Sequence, residues 1–229
     1  MDIKNDIHIM EMNDKLYQRL KQSELVIHAK VESILRQISS WKYATHEFYV
    51  PAPYQNELAG LPNGRIRKNI EEKDRLKIAG LYSFGFNAEG KILCSQEAPD
   101  NIGNGIITDI YEYDNAFSYY VYHVKYIPNQ YTTIISISYF YPYHEMNIFQ
   151  GINSYKDWSV YLYEYDKERI SKVHRYASRW GNMPAEEYNF AYENNLLCAI
   201  VGEKRLKNGE LYIHWKNKKV YNGSEICTV

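Results

Sequence analysis

The stretch Ser159 to Tyr176, SVYLYEYDKERISKVHRY, decides how this chain of 229 residues is read. Tyr161, Tyr163 and Tyr165 alternate with Val160, Leu162 and Glu164, and Asp166 opens a short polar turn. Ile170, Val173 and Tyr176 then resume the apolar pattern, so the stretch reads as strand, turn, strand. Aromatic rings at every second residue share one face of a pleated strand, where they pack best against neighbouring strands.

Similar triads lie on either side. They occur at Tyr82/Phe84/Phe86, Ile137/Tyr139/Tyr141, Tyr188/Phe190/Tyr192 and Leu211/Ile213/Trp215, with a degraded copy at Asp109/Tyr111/Tyr113. Successive first positions, Tyr161 included, are separated by 27, 28, 24, 27 and 23 residues. Polar turns follow most copies, at Asn87 to Gly90, Asp114 to Ala116, Asp166 to Arg169, Glu193 to Asn195 and Lys216 to Lys219. Return strands are expected at or near Ile92, Ile170, Leu196 and Val220. A spacing this steady marks a repeated supersecondary unit, most simply a β-hairpin. Six hairpins make about a dozen strands, near the limit for an open twisted sheet.

Ahead of the repeats, Asn13 to Trp41 reads as one helix. Leu16, Leu20, Ile27, Val31, Ile34, Ile38 and Trp41 recur at three- and four-residue spacings, broken once at Glu24, with Asn13 as the expected N-cap. Roughly 28 residues at 1.5 Å each span about 42 Å, enough to brace roughly nine strands. A dimerising coiled coil also satisfies the stripe. Pro51, Pro53, Gly60, Pro62 and Gly64 then punctuate an irregular segment that cannot sit in a central strand. Arg65 to Lys77 is densely charged, a short exposed helix or a polar hairpin. The expected class is therefore α+β, one structural domain in three parts. These are a helix over 1–41, an irregular linker with a charged segment over 42–80, and a large antiparallel sheet of repeated hairpins over 81–229.

The totals narrow the function classes. The 27 basic and 28 acidic residues nearly cancel, so bulk charge favours neither nucleic acid nor a membrane. Cys94, Cys198 and Cys227 form no CxxC, which fits a reducing compartment. With no apolar leader or spanning run in the sequence, a cytoplasmic location is the expectation. The 24 Tyr suit sheets with a partly covered face.

Phe86-Asn87-Ala88-Glu89-Gly90-Lys91-Ile92 resembles the YD repeat of Rhs-type proteins, an aromatic, Asp or Asn, two residues, Gly, a basic residue, then Leu or Ile. Tyr165-Asp166-Lys167-Glu168-Arg169-Ile170 is similar but one residue shorter and lacks the Gly, and Tyr192-Glu193-Asn194-Asn195-Leu196 is a poorer copy. In large Rhs proteins such repeats wind into a shell around a toxin, for which this chain is too short. The resemblance instead implies a small product of a bacterial polymorphic-toxin locus, such as an immunity protein that binds and neutralises a toxin domain.

No HExxH, GxSxG, P-loop or dinucleotide fingerprint is present, so no catalytic residue is assigned and no cofactor is expected. Gly103-Asn104-Gly105 reads as a turn, and the seven His include no pair at metal-binding spacing, so no metal is expected. The first candidate surface is the acidic, Tyr-rich segment with Tyr111, Glu112, Tyr113, Asp114, Tyr119 and Tyr120, suited to a basic protein partner and repellent to nucleic acid. The second is the loop with Tyr141, Tyr143, His144 and Glu145, where a His beside a carboxylate could serve as an acid/base pair. Asp109, Glu112, Asp114, Glu164 and Asp166 are a further carboxylate set, though Asp114 and Asp166 suit turn openings. The leading expectation is a non-enzymatic immunity-type binding protein. A hydrolase acting on a glycan or nucleotide and a carbohydrate-binding or structural repeat module are the alternatives.

Overall fold

The computed structural model describes residues 6–99, 105–178, 186–194, 196–205 and 211–217, with side chains as far as residue 203. Two helices come first, α1 (Ile7–Ser23) and α2 (Ile27–Leu35), then strand β1 (Ser40–Ala44), a single turn of helix α3 (Gln55–Leu58) and a short β2 (Ile66–Arg67). The remaining strands are β3 (Tyr82–Phe86), β4 (Ile92–Glu97), β5 (Ile106–Tyr113), β6 (Tyr119–Ile127), β7 (Tyr131–Tyr143) and β8 (Met146–Asn153). They continue as β9 (Trp158–Asp166), β10 (Arg169–Ala177), β11 (Glu186–Glu193), β12 (Leu196–Arg205) and β13 (Leu211–Asn217).

The class is α+β. Among the described residues, thirteen strands form one antiparallel sheet in the order β13-β12-β11-β10-β9-β8-β7-β6-β5-β4-β3-β1-β2. From β3 onward each strand pairs with the next in sequence, and among the described residues the two ends of the order are not paired with each other. Each triad found in the sequence falls on an odd-numbered strand from β3 to β13, so the repeat is one hairpin long. Local residues set the turns. Asn87 Oδ1 accepts from the amides of Glu89 (3.0 Å) and Lys91 (2.9 Å), while Gly90 takes φ +80°. Where the motif lacks its Gly, Lys167 (φ 59°) and Asn194 (φ 48°) take the left-handed conformation, as His144 (φ 53°) does between β7 and β8. A positive φ at the first loop residue matches the turn to the strand twist.

Cross-strand partners share a face, so the register separates two faces. One carries Cys94, Ile110, Tyr122, Ile137, Tyr139, Ile148, Val160 and Leu162, and against it pack Ile9, Leu16, Leu20, Ile27 and Val31 of the helices. Those five helical side chains are at most 1% exposed, and burying each stabilises the fold by roughly 1.5–3 kcal/mol. The other face carries Phe84, Phe86, Tyr111, Tyr119 and Val121 toward one end and Phe149, Tyr163, Val173 and Tyr188 toward the other. Residues 45–64 strap across it, contributing Tyr49 to the first cluster and Ala52 and Leu58 to the second. Tyr119 Oη donates to the Pro51 carbonyl at 2.8 Å, and Asn56 Nδ2 to the Glu47 carbonyl at 2.9 Å. The strap doubles back on itself so closely that a Cβ on Gly64 would lie 2.2 Å from the His46 carbonyl oxygen.

Several expectations are corrected. The single helix is two, broken at Glu24 to Val26, where Leu25 is 93% exposed. A straight rod cannot follow a broad twisted sheet, and the break lets each half lie along it. The N-cap is Asp6, whose side chain accepts from the Ile9 amide, whereas Asn13 accepts from Gln150 Nε2 at 2.8 Å. Trp41 lies in β1 opposite Gly85, not in a helix. The 42–80 segment, expected as an irregular linker, also supplies β2 and most of β1 to the sheet, and its residues 45–64 pack across one face. The charged stretch forms β2 and a 3-10 turn at Glu72–Asp74, after which Arg75 lies over the Trp41 ring and donates to Gln96. The Ile137/Tyr139/Tyr141 triad faces the helices, while Tyr82/Phe84/Phe86, Tyr161/Tyr163/Tyr165 and Tyr188/Phe190/Tyr192 face the strap. The return strand expected at Val220 lies outside the described residues.

Candidate functional site

On the strap face, β3 to β6 place four rows of side chains next to the start of the strap. Tyr82 pairs with Glu97, Ser95 with Asp109, and Asp109 with His123, so all five point the same way. Glu47 comes from the strap itself. Together with Ile107 they line a cavity of about 100 Å³.

Hydrogen bonds commit most of these groups. His123 Nδ1 donates to Asp109 Oδ1 at 2.7 Å, and Ser95 Oγ to Asp109 Oδ2 at 3.3 Å. Tyr82 and Glu97 are direct cross-strand partners. Glu47 is the exception: its carboxylate has no side-chain hydrogen bond or ion pair among the described residues. Burial raises its pKa from 4.5 to about 7, the charges of Asp109 and Glu97 push the same way, and His123 opposes them. Burial draws the His123 pKa down, but the Asp109 bond and the carboxylates of Asp109, Glu47 and Glu97 outweigh it, so the net shift is upward. Desolvation and the neighbouring Glu97 raise the Tyr82 phenol, which stays neutral.

Glu47, pushed up to about 7, lines the same cavity as His123, and a carboxyl that titrates near neutrality is one condition for acid/base chemistry. The constellation is not a nucleophilic triad. Ser95 bonds the carboxylate and not the imidazole, so the nucleophile-to-base contact is missing. The cavity is also far below the roughly 300–1,000 Å³ of ordinary small-molecule sites. Among the described residues no group of three or more His, Cys, Asp and Glu is placed to hold a metal ion. What the arrangement offers is an acidic cleft, with three carboxylates and one imidazole in its lining and Glu47 without a side-chain partner.

The residues singled out in the sequence are placed otherwise. Tyr111 and Tyr119 are buried beneath the strap, and Tyr113 donates to the Ile92 carbonyl at 3.1 Å. Glu112 and Tyr120 point to the opposite face, toward the helices. Glu112 Oε2 accepts from Arg19 (2.9 Å), Lys30 (2.6 Å) and Tyr122 (2.8 Å), tying α1 and α2 to β5. Burial opposes its ionisation, but the three donors outweigh that and lower its pKa to about 2. Tyr120 stacks on Tyr139 at 4.2 Å beneath the Arg19 guanidinium, and Asp114 accepts from Tyr139 Oη at 2.9 Å. The six therefore do not form one exposed face, because alternation along β5 and β6 sends neighbours to opposite sides.

The loop candidates also serve packing. Tyr141 is buried and donates to Gln150 Oε1 at 3.0 Å, and Tyr143 stacks on His8 at 4.3 Å. His144 and Glu145 are the exposed tip of a tight turn, with no bond between them. The carboxylate set is dispersed as well: Glu164 accepts from His174 Nε2 at 2.9 Å on the helix face, while Asp109 is across the sheet. An open groove of about 720 Å³ runs beside the β9–β10 turn, but its lining interleaves Asp166 and Glu168 with Lys167 and Arg169 and converges on no chemistry.

Sequence reasoning treated Asp109 only with other carboxylates and His123 as one of a scattered set. The hairpin register pairs them, and that register is the signal that could have found them. Comparison with known proteins returns no match, whether to family models, curated proteins or solved structures. Among the described residues no helix is long and apolar enough to cross a membrane.

Proposed function

We propose that this chain is a non-enzymatic binding protein for a basic protein partner, of the immunity type that the YD-like hairpins suggest. The partner's point of entry is the cleft between the strap and β3 to β6. One observation carries the reading: the Glu47 carboxylate stands unpaired at a cavity too small for an organic substrate, beside two further carboxylates. An unpaired acid on a strap packed against the sheet is already oriented for a cationic group, and little ordering is needed on binding. Carboxylates at such an entry also steer a basic surface toward it.

Co-expression with the protein encoded next to this one tests the reading, provided that neighbour carries a basic toxin-like domain. A stoichiometric complex whose association slows as salt is added is the expected result. A complex that ignores both ionic strength and the double change Glu47→Gln, Asp109→Asn would remove the cleft from the interface. Failure of any basic neighbour to co-elute would remove the immunity reading.

A further inference from the structure

We propose that residues 45–64 are a lid, hinged at the β1–β2 pair, that swings off the sheet as one piece when Glu47 ionises. The inference goes beyond the binding reading, since it concerns the strap itself and holds whether or not a partner binds.

The strap is built to move as a unit. Its two ends meet, because Ala44 pairs with Ile66 and Tyr43 with Arg67. The Thr45 amide donates to the Arg65 carbonyl at 3.0 Å, and the Arg65 amide to Thr45 Oγ1 at 3.1 Å. That base can act as a hinge without breaking any pairing between β1 and β3. Between the ends, the amides of Gln55, Leu58, Ala59, Gly60, Leu61 and Gly64 all donate to carbonyls within residues 47–57, and Asn63 Nδ2 donates to Glu57 Oε1 at 2.7 Å. Lifting the strap leaves these bonds whole. It is held to the sheet by burial of Ala52 and Leu58 and by ring contacts, Tyr49 against Phe84 and Phe86 and Tyr54 against Phe190, at 5.0–5.2 Å between centroids. The Tyr119 bond to Pro51 adds to this, as does a 3.1 Å bond from Lys42 Nζ to Tyr49 Oη.

The closed position leaves polar groups unanswered. The hydroxyls of Tyr111 and Tyr163, on the face the strap covers, and Gln55 Oε1 of the strap are buried with no hydrogen-bond partner. Water satisfies all three once the strap lifts, which narrows the gap between closed and open. Glu47 supplies the trigger. Closure sets its carboxylate in one small cavity with Tyr82 of β3, Glu97 of β4, Asp109 of β5 and His123 of β6. The two acids repel its ionised form, protonated His123 attracts it, and the phenol is neutral. Burial and the two acids raise its pKa from 4.5 to about 7 in the closed position. Closure is therefore favoured while Glu47 holds its proton and weakens as the pH climbs through about 7, and loss of the His123 proton acts in the same direction. With Glu47 back in water on opening, the open-to-closed ratio rises about tenfold between pH 6 and pH 8.

The test places single thiols under the strap of the full chain. In a Cys198→Ser, Cys227→Ser background, Ala52→Cys and Leu58→Cys are made separately. Cys94, 0% exposed on the helix face, stays as the internal reference. Reaction with an aromatic disulfide reagent is followed at pH 6 and pH 8 by mass spectrometry of the peptide carrying each thiol. Each rate is divided by that of the same thiol in the urea-unfolded chain at the same pH. The thiol at either strap position should react at least about tenfold faster than Cys94, and its normalised rate should rise about tenfold from pH 6 to pH 8. Adding Glu47→Gln should remove most of that rise while Cys94 stays protected. A strap thiol no faster than Cys94 means that the strap leaves only when the whole fold does, and overturns the lid. A rise of equal size in the Glu47→Gln chain overturns its trigger, and unequal rises at the two positions overturn movement in one piece. Should Ala52→Cys fail to fold, Leu58→Cys, which puts a smaller side chain under the strap, still decides the lid and its trigger.

Discussion

Glu47→Gln should make the protein more stable at alkaline pH, and the size of the gain follows from the cleft. The folded state raises the Glu47 pKa from 4.5 to about 7. Between those values the folded chain holds a proton that the unfolded chain has released. Stability from this group is therefore complete below about 4.5 and falls as the pH climbs through about 7. At 1.36 kcal/mol per unit the full loss is about 3 kcal/mol, and about 2 kcal/mol is a fairer figure once solvent at the cleft mouth is allowed for. Glutamine keeps the shape and stays neutral, so the variant should not suffer this loss. His123, whose pKa is also raised, adds a loss in the same direction as it gives up its proton, and because Asp109 does more than Glu47 to raise it, that loss should persist in the variant. Urea unfolding at pH 5 and pH 8 reads the difference directly. The native chain should lose about 2 kcal/mol more than the variant, or roughly 4–8 °C in Tm for a chain of this size. Parallel losses in the two proteins would show that Glu47 is not held protonated by its surroundings, and the electrostatic account of the cleft would fall with it.

Glu112→Gln should cost about 2 kcal/mol at pH 7, because Arg19, Lys30 and Tyr122 all converge on one half-exposed carboxylate oxygen. Its depressed pKa means that the stability it gives is present above about 4.5 and is lost as the pH falls toward 2. The acid limb of a stability-against-pH curve should flatten accordingly in the variant. Gly64→Ala drives a methyl group into the His46 carbonyl, 2.2 Å away, and should cost about 1–3 kcal/mol. Limited proteolysis should then cut first within residues 45–64, and cleavage that begins in the helices instead would contradict the placement of the strap. Tyr119→Phe removes only the bond to the Pro51 carbonyl and should cost about 1 kcal/mol, seen as faster amide exchange confined to the strap and the strands beneath it.

The sheet was legible because its signals are local. Alternating rings between Tyr82 and Trp215, with Asn87, Asp166 and Asn194 at the turns, mark strands and loops without help from distant residues. The face each triad takes was not legible. The bulge between His123 and Val124, opposite Ser136 and Ile134, shifts the phase, so Ile137, Tyr139 and Tyr141 turn toward the helices while the triads on either side turn away. The apolar stripe from Leu16 to Val31 announced a helical cover, and its one interruption, at Glu24, marks where the rod breaks, though the apolar Leu25 and Val26 beside it disguise the break. The prolines of the strap announced irregular backbone and said nothing of where it lies. The cleft suffered most from this. Asp109 and His123 become neighbours through hairpin register, whereas Glu47 reaches them only because the strap crosses the sheet, a tertiary fact with no periodicity to betray it.

Both coverings of the sheet come from the first third of the chain, ahead of almost every strand they cover. Gln150 Nε2 donates to the Ile9 carbonyl across 141 residues of sequence, and the Tyr119 bond to Pro51 spans 68. On the ribosome, then, the amphipathic helices and the strap emerge first and must wait, greasy side unoccupied, while the strands they need are still being translated. The hairpins themselves close as soon as each is made, since their partners adjoin in sequence. If the hairpins close in that order, the helices and the strap, made before most of the strands they cover, settle after them. A chaperone that shields nascent apolar segments has its natural client window between the appearance of Leu16 and that of Ile148, while the two lids still lack most of the surface they close on.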